Sequence, residues 1–182
     1  MQKMLEVWQW NKFKWYLQTL LCSYKKIVCF VNKFFFIFLL IIIDFTTKKI
    51  VYNYLTLNSF IPIIYFLDIA HIHNYGISFG LFSGLIPSWS IILIGSMITA
   101  FLIYMMITAS NKIEKWGLAV IIAGALSNIV DRGMNNYVLD FIYLHYKDFY
   151  WPAFNFADIY ITFGVLMILY QVLKEFKKKF IK

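Results

Sequence analysis

From Ser88 to Ala109 the chain runs without a single Asp, Glu, Lys or Arg. A helix needs about 20 mostly apolar residues to cross the hydrocarbon of a bilayer, and this run meets that length. Three other segments have the length but carry polar interruptions. The stretch from about Phe34 to Leu55 holds Asp44, Lys48 and Lys49. The stretch from about Trp116 to Gly133 holds Asn128, Asp131 and Arg132 at its far end. The stretch from about Ala157 to Leu173 runs into the Lys174–Lys182 cluster. Hydrophobic residues make up 62% of the 182 positions and charged residues 14%. A soluble domain of this size has too little interior to hide that apolar surface, so the surplus must face lipid. The expected fold class is an all-α integral membrane protein. It has four transmembrane helices, a small extracytoplasmic loop or β subdomain, and an N-terminal interfacial extension.

The net charge of +8 raises the possibility of nucleic acid, but the placement of charge argues against it. Thirteen of the seventeen basic residues lie in Lys3–Lys33, Lys112–Lys115 and Lys174–Lys182. These stretches flank apolar runs, as cytoplasmic loops do under the positive-inside rule. All three Glu fall in the same stretches, and all six Asp fall elsewhere. Four spans then place both termini in the cytoplasm and gather the aspartates, Asp44 partly excepted, near the outer face. The expected organisation is a basic aromatic extension over 1–33, a four-helix membrane domain over 34–175 and a basic cytoplasmic tail over 176–182. Trp8, Trp10, Trp15 and Tyr16 among lysines suit a headgroup region, a disordered tail being the alternative. Six lysines break up the first 33 residues, which do not look like a cleavable signal peptide. Cys22 and Cys29 read as small apolar groups rather than a disulfide or a metal pair.

An ionisable residue inside a span is costly and is by default a functional candidate. Asp44, Asp131, Arg132 and Asp158 qualify. Asn128, Asp131 and Arg132 share one helix face, either as a helix end reaching headgroups or as groups that orient a peptide or a second carboxylate. Asp140, in Tyr137-Val-Leu-Asp140-Phe-Ile, reads on its own as a loop acid or as a carboxylate on a short strand near the interface. Asn155-Phe-Ala-Asp158 opens a helix, with Asn as N-cap and the acid suited to the helix dipole; capping and catalysis are compatible there. The segment His71 to Gly84 is rich in glycine and small polar residues. Its His71-Ile-His73 pair lacks a clear third ligand for a metal.

Taken together these segments resemble the lipoprotein signal peptidases, or signal peptidase II. Five pieces match in order. They are Asp44-Phe-Thr-Thr-Lys48, Asn74-Tyr-Gly76-Ile-Ser-Phe-Gly80, Gly124-Ala-Leu-Ser-Asn128-Ile-Val-Asp131-Arg132, Val138-Leu-Asp140-Phe141, and Trp151-Pro-Ala-Phe-Asn155-Phe-Ala-Asp158. Departures from the family pattern fall at Phe45 (usually Gln), Ile77 and Ser78 (often Ala-Ala), and Ser127 and Asn136 (each usually Gly). They bear on loop shape and substrate fit rather than on the proposed catalytic groups.

The resemblance implies a membrane-embedded aspartyl endopeptidase with Asp140 and Asp158 as the catalytic pair. Asn128, Asp131, Arg132 and Asn155 form a supporting shell, and Asn74 and Gly76 line the substrate site. Asp44 and Lys48 are structural or near-site, one helical turn apart. The implied substrate is a diacylglyceryl-modified prolipoprotein, cut on the amino side of its lipidated Cys. The expected setting is the bacterial inner membrane, with the site towards the outer face. The expected partners are that substrate and membrane lipids, with no nucleic acid. A monomer without cofactor or metal is expected. Two other readings fit intramembrane acids. A proton-coupled transporter would spread them through the membrane depth, and a scaffold would use them only to tie helices together.

Overall fold

The computed structural model describes residues 2–77 and 86–180, without the side chains of 2–7, 9, 11, 25–27, 29 and 30. Ser78, Phe79, Gly80 and Gly84 of the glycine-rich segment lie outside the described residues, as does the Cys29 side chain. In chain order the elements are α1 (Gln2–Tyr54), β1 (Phe60–Ile64), β2 (Leu67–Asn74), α2 (Ser88–Thr108), α3 (Lys112–Asn135), β3 (Val138–Tyr146), β4 (Phe149–Tyr150) and α4 (Phe156–Phe180). By contact the chain divides into two units, Met1–Phe36 and Ile37–Lys182. In the first, Trp8, Trp10, Trp15 and Tyr16 are exposed. The Lys12 ammonium sits 4.9 Å from the Trp8 ring centre, and Lys14 sits 5.6 Å from that of Trp10. No Gly or Pro interrupts the sequence from Gln2 to Tyr54, so helical backbone starts well before the apolar stretch expected to begin at Phe34.

In the second unit three helices among the described residues, α2, α3 and α4, are long and apolar enough to cross a membrane. The expected first span is the part of α1 that carries Asp44, Lys48 and Lys49. Pro87, extended at φ −65°, precedes α2. The Asn111 side chain caps α3 by accepting from the N–H of Ile113 at 2.8 Å. At its other end Asn136 sits at φ 65° and sends its N–H to the Arg132 carbonyl. Only Gly adopts that left-handed backbone without cost, and Asn is among the few others that tolerate it. The departure from the usual Gly is therefore a compatible one.

Close backbone approach sets the α3–α4 crossing. A Cβ at Gly124 would collide with the Ala157 carbonyl oxygen, and one at Gly164 would lie 2.6 Å from the Gly117 carbonyl oxygen. The helices meet where side chains are missing. Apolar packing follows around Leu118, Ile122 and Ala123, with Ile37 and Met106 joining from α1 and α2.

The segments between helices build one antiparallel sheet in the order β1-β2-β3-β4. Its register pairs Ile72 with Asp140 and Asn74 with Val138. A bridge then joins Ile142 to Phe154, with both N–H···O bonds made, at 2.8 and 3.0 Å. This bridge places Asn155, and with it the start of α4, against the middle of β3.

Candidate active site

Asp140 stands on β3 and is 2% exposed. One carboxylate oxygen accepts from the Asn74 amide at 2.9 Å, and the other accepts from the Asn155 amide at 2.6 Å. Asn74 is itself held in a local turn, because its Oδ1 accepts the Gly76 N–H at 3.0 Å. The Gly76 carbonyl in turn accepts from the Arg132 guanidinium at 2.6 Å. Arg132 thus reaches from α3 to the loop after β2, and its buried Nε has no partner among the described residues.

Asp158 is the third residue of α4. Its Oδ2 accepts the Asn155 backbone N–H at 3.1 Å while Asn155 Oδ1 accepts the Asp158 N–H at 3.1 Å. This reciprocal pair is a capping box, and a helix N-terminus suits the acid in it. Asp158 Oδ1 accepts from the Asn128 amide at 3.0 Å. The fully buried Asn155 therefore bonds to both acids, through Nδ2 to Asp140 and through Oδ1 and its own N–H to Asp158.

Behind Asn128 lies an ionic cluster. The Lys48 ammonium is 2.7 Å from Asp44, 3.3 Å from Asp131 and 3.1 Å from Asn128 Oδ1. With its carbonyl oxygen turned to Lys48, Asn128 presents its N–H₂ to Asp158. Asp131 also accepts from Asn135 at 2.8 Å and from the Leu139 backbone N–H at 3.1 Å, tying the start of β3 to α3. Asp44 accepts the Ala157 backbone N–H at 3.0 Å, so an acid of α1 steadies the first turn of α4.

All ten residues singled out from the sequence, Asp44, Lys48, Asn74, Gly76, Asn128, Asp131, Arg132, Asp140, Asn155 and Asp158, fall within this neighbourhood. The sequence marked Ser127 only as a departure from the family pattern; its buried hydroxyl donates to Asp44 at 2.5 Å. Its signal was available: Ser127 shares the stripe of Gly124 and Asp131 at spacings of three and four. Sequence reasoning passed over His73 stacking on Tyr137, with ring centres 3.5 Å apart. The two histidines bond to each other, Nε2 to Nε2 at 3.1 Å, and His71 Nδ1 faces the Leu55 carbonyl at 2.9 Å. Burial first, and His71 second, hold His73 below the ordinary imidazole range, consistent with one N–H shared between the two rings.

A cavity of about 280 Å³ opens beside both acids. Its polar end is formed by Asn74, Asn128, Arg132, Asp140 and Asp158, and the rest is largely isoleucine from α2, α3 and α4. Burial, with the charge of Asp158 second, pushes the Asp140 carboxyl up to about 7 against the opposing pull of the Asn74 and Asn155 bonds. Two carboxylates arranged so can share one proton near neutral pH, which equips them for acid–base work on a bound water.

Residues 36–174 match the family described as Signal peptidase (SPase) II. The lipoprotein signal peptidase of Thermodesulfovibrio yellowstonii is 39% identical over 140 residues, covering 76% of this chain and 92% of that one. That of Francisella tularensis subsp. novicida is 36% identical over 152 residues, covering 80% and 94%. A solved bacterial membrane enzyme superposes with a TM-score of 0.75 at 28% identity, covering 81% of this chain and 91% of that one. A second, at 29% identity, gives 0.70, covering 79% and 93%.

Proposed function

The chain belongs to the signal peptidase II family, bacterial membrane proteases that remove signal peptides from prolipoproteins, and we propose that it does so as an aspartyl endopeptidase whose catalytic pair is Asp140 and Asp158. The observation that carries this reading is Asn155. One buried side chain bonds to Asp140 and, through the capping box, to Asp158, at the edge of a cavity that both acids line.

The chemistry follows from that placement. A water between the acids gives a proton to the ionised carboxylate as its oxygen attacks the scissile carbonyl carbon. The protonated partner gives its proton to the carbonyl oxygen, and a tetrahedral diol results. The diol returns its proton to that partner as the C–N bond breaks, and the amine leaves with the proton taken from the water. Asn128 and Asn155 hold the carboxylates, Lys48 and Asp131 fix Asn128, and Asn74, Gly76 and Arg132 frame the loop that meets the substrate backbone.

The substrate is a prolipoprotein whose Cys carries diacylglycerol, cut on the amino side of that Cys. The 34–175 domain crosses the inner membrane four times, with both termini cytoplasmic and the site near the outer face, and acts as a monomer among membrane lipids. The 176–182 tail is cytoplasmic, and 1–33 is an extension at the cytoplasmic headgroups. Acids gathered round one cavity favour a hydrolase over a transporter.

The test is cleavage of a diacylglyceryl-modified prolipoprotein by the purified chain. General acid–base groups contribute about 10²- to 10⁴-fold, so Asp140→Asn and Asp158→Asn should each lower kcat by at least that lower figure. Wild-type turnover in Asp140→Asn would remove the dyad assignment.

A further inference from the structure

The Lys48 cluster also lines a second cavity, a crevice of about 190 Å³ between α1 and α3. Phe45, Lys48, Lys49 and Tyr52 form its α1 wall at spacings of three and four, and Met134 and Asn135 stand on its α3 wall. Asp131 faces it too, but its oxygens are taken, one by the Asn135 amide and the other by Lys48 and the Leu139 N–H. Lys48 is held between Asp131 and Asp44. Lys49 is different. It is exposed, and among the described residues it pairs with no acid. Its ammonium stands 5.3 Å from the Tyr52 ring centre.

The same face of α1 continues away from Tyr54. Phe38, Ile42, Phe45, Lys49 and Tyr52 recur at spacings of four and three, and all five are exposed. In that order the stripe is three apolar side chains, a cation and a phenol. From Phe38 to Lys49 it covers about 16 Å of helix axis, and half the hydrocarbon of a bilayer is about 15 Å thick.

We infer that this crevice binds a glycerophospholipid of the outer leaflet, with Lys49 as counter-ion of the phosphate and Phe45, Ile42 and Phe38 along one acyl chain. The inference rests on the four-span reading, which puts the Tyr54 end of α1 at the outer face. An ammonium without an acid at that depth is costly, and phosphate is the anion that the leaflet itself supplies at that level. The diacylglyceryl group of the substrate carries no phosphate. The crevice is also distinct from the cavity of the cutting pair, which is lined from α2, α3 and α4 and shares none of these α1 residues.

The test titrates full-length enzyme, stripped of lipid in a maltoside detergent, with dimyristoylphosphatidylglycerol and counts bound lipid by native mass spectrometry. Lys49→Gln should weaken binding about tenfold, equivalent to about 1.4 kcal/mol. Lys49→Arg should retain it, and Lys112→Gln, at the start of α3, should leave it unchanged. Met134→Trp fills the crevice from the opposite wall and should weaken binding as well. If one variant fails to melt cooperatively, the other decides. Unchanged binding in both, or an equal loss in Lys112→Gln, would overturn the site. Equally tight binding of dimyristoylglycerol, which lacks the phosphate, would remove the role of Lys49. Displacement of the lipid by an equal concentration of inorganic phosphate would give the crevice to a free anion and overturn the lipid assignment. The topology is checked separately in spheroplasts, where an impermeant maleimide should label Tyr54→Cys in a chain with Cys22 and Cys29 replaced by Ser. Silence there would sink the four-span reading, whereas labelling with unchanged lipid binding in the variants would sink the crevice alone.

Discussion

At the scale of single residues the site is decided by how Asp140 is held. Its carboxyl is pushed up to about 7, chiefly by burial and then by the charge of Asp158. The sign follows directly. A carboxyl raised in the fold favours the protonated form, so its contribution to stability is full below the ordinary carboxylate range and is lost as pH rises through about 7. Activity has the same alkaline boundary. Above it both acids are ionised and no proton remains for the carbonyl oxygen, so kcat/KM should fall as pH passes about 7. The Asn74 amide pulls Asp140 down by bonding the charged form. Asn74→Ala should therefore lower kcat/KM and move the alkaline limb to higher pH. A pH–rate profile checks it; a limb that stays put or moves toward acid would mean that Asn74 does not govern this carboxyl. Lys48 was legible as the partner of Asp44 one turn away. Its bond to Asn128, eighty residues on, was not, because no local pattern encodes which helix faces which.

At the scale of elements the geometry depends on α3 and α4 touching backbone to backbone. Gly124 faces the Ala157 carbonyl oxygen, one residue before Asp158. An added methyl must push the first turn of α4 away from α3, and overpacking of this kind costs about 1–3 kcal/mol. Gly124→Ala should lower Tm and, by moving Asp158 away from Asn128, cut kcat by about tenfold or more, since misplacement by an ångström can cost more than that. Gly133→Ala on the same helix is the control. Nothing lies within 4 Å of its added Cβ, and a helical Ala is up to about 1 kcal/mol better than Gly, so stability should hold or rise. Equal Tm losses in both would show that the crossing does not depend on close approach at Gly124. Helices α2, α3 and α4 were legible in advance, because long apolar runs report membrane depth directly: α2 begins at Ser88 as expected and ends one residue short of Ala109. The sheet was expected only as a small loop or β subdomain, with a short strand at Asp140 as one reading and no pairing given. Its decisive pairing, Ile142 with Phe154, depends on where α3 and α4 put their ends.

At the scale of the whole molecule the chain has two parts with different relations to its family. The family match begins at residue 36 and ends at 174, and each side chain bonded into the acid network lies between Asp44 and Asp158. Residues 1–33 carry six lysines and one Glu alongside exposed Trp8, Trp10 and Trp15. Each Lys near an anionic bilayer surface contributes about 1 kcal/mol, and indole rings suit the headgroup layer. The extension should therefore govern response to lipid charge and not the chemistry. A chain lacking residues 2–33 is expected to keep kcat/KM within about threefold in zwitterionic nanodiscs, under about 1 kcal/mol of transition-state stabilisation. In nanodiscs rich in anionic lipid, trypsin should cut the full chain more slowly at Lys12 and Lys14 than in zwitterionic ones, and added salt should remove the difference, because charge attraction at a surface is screened within about 10 Å at 0.1 M. Loss of cleavage on truncation would place the extension in the catalytic assembly. Trypsin rates indifferent to lipid charge would separate it from the membrane surface.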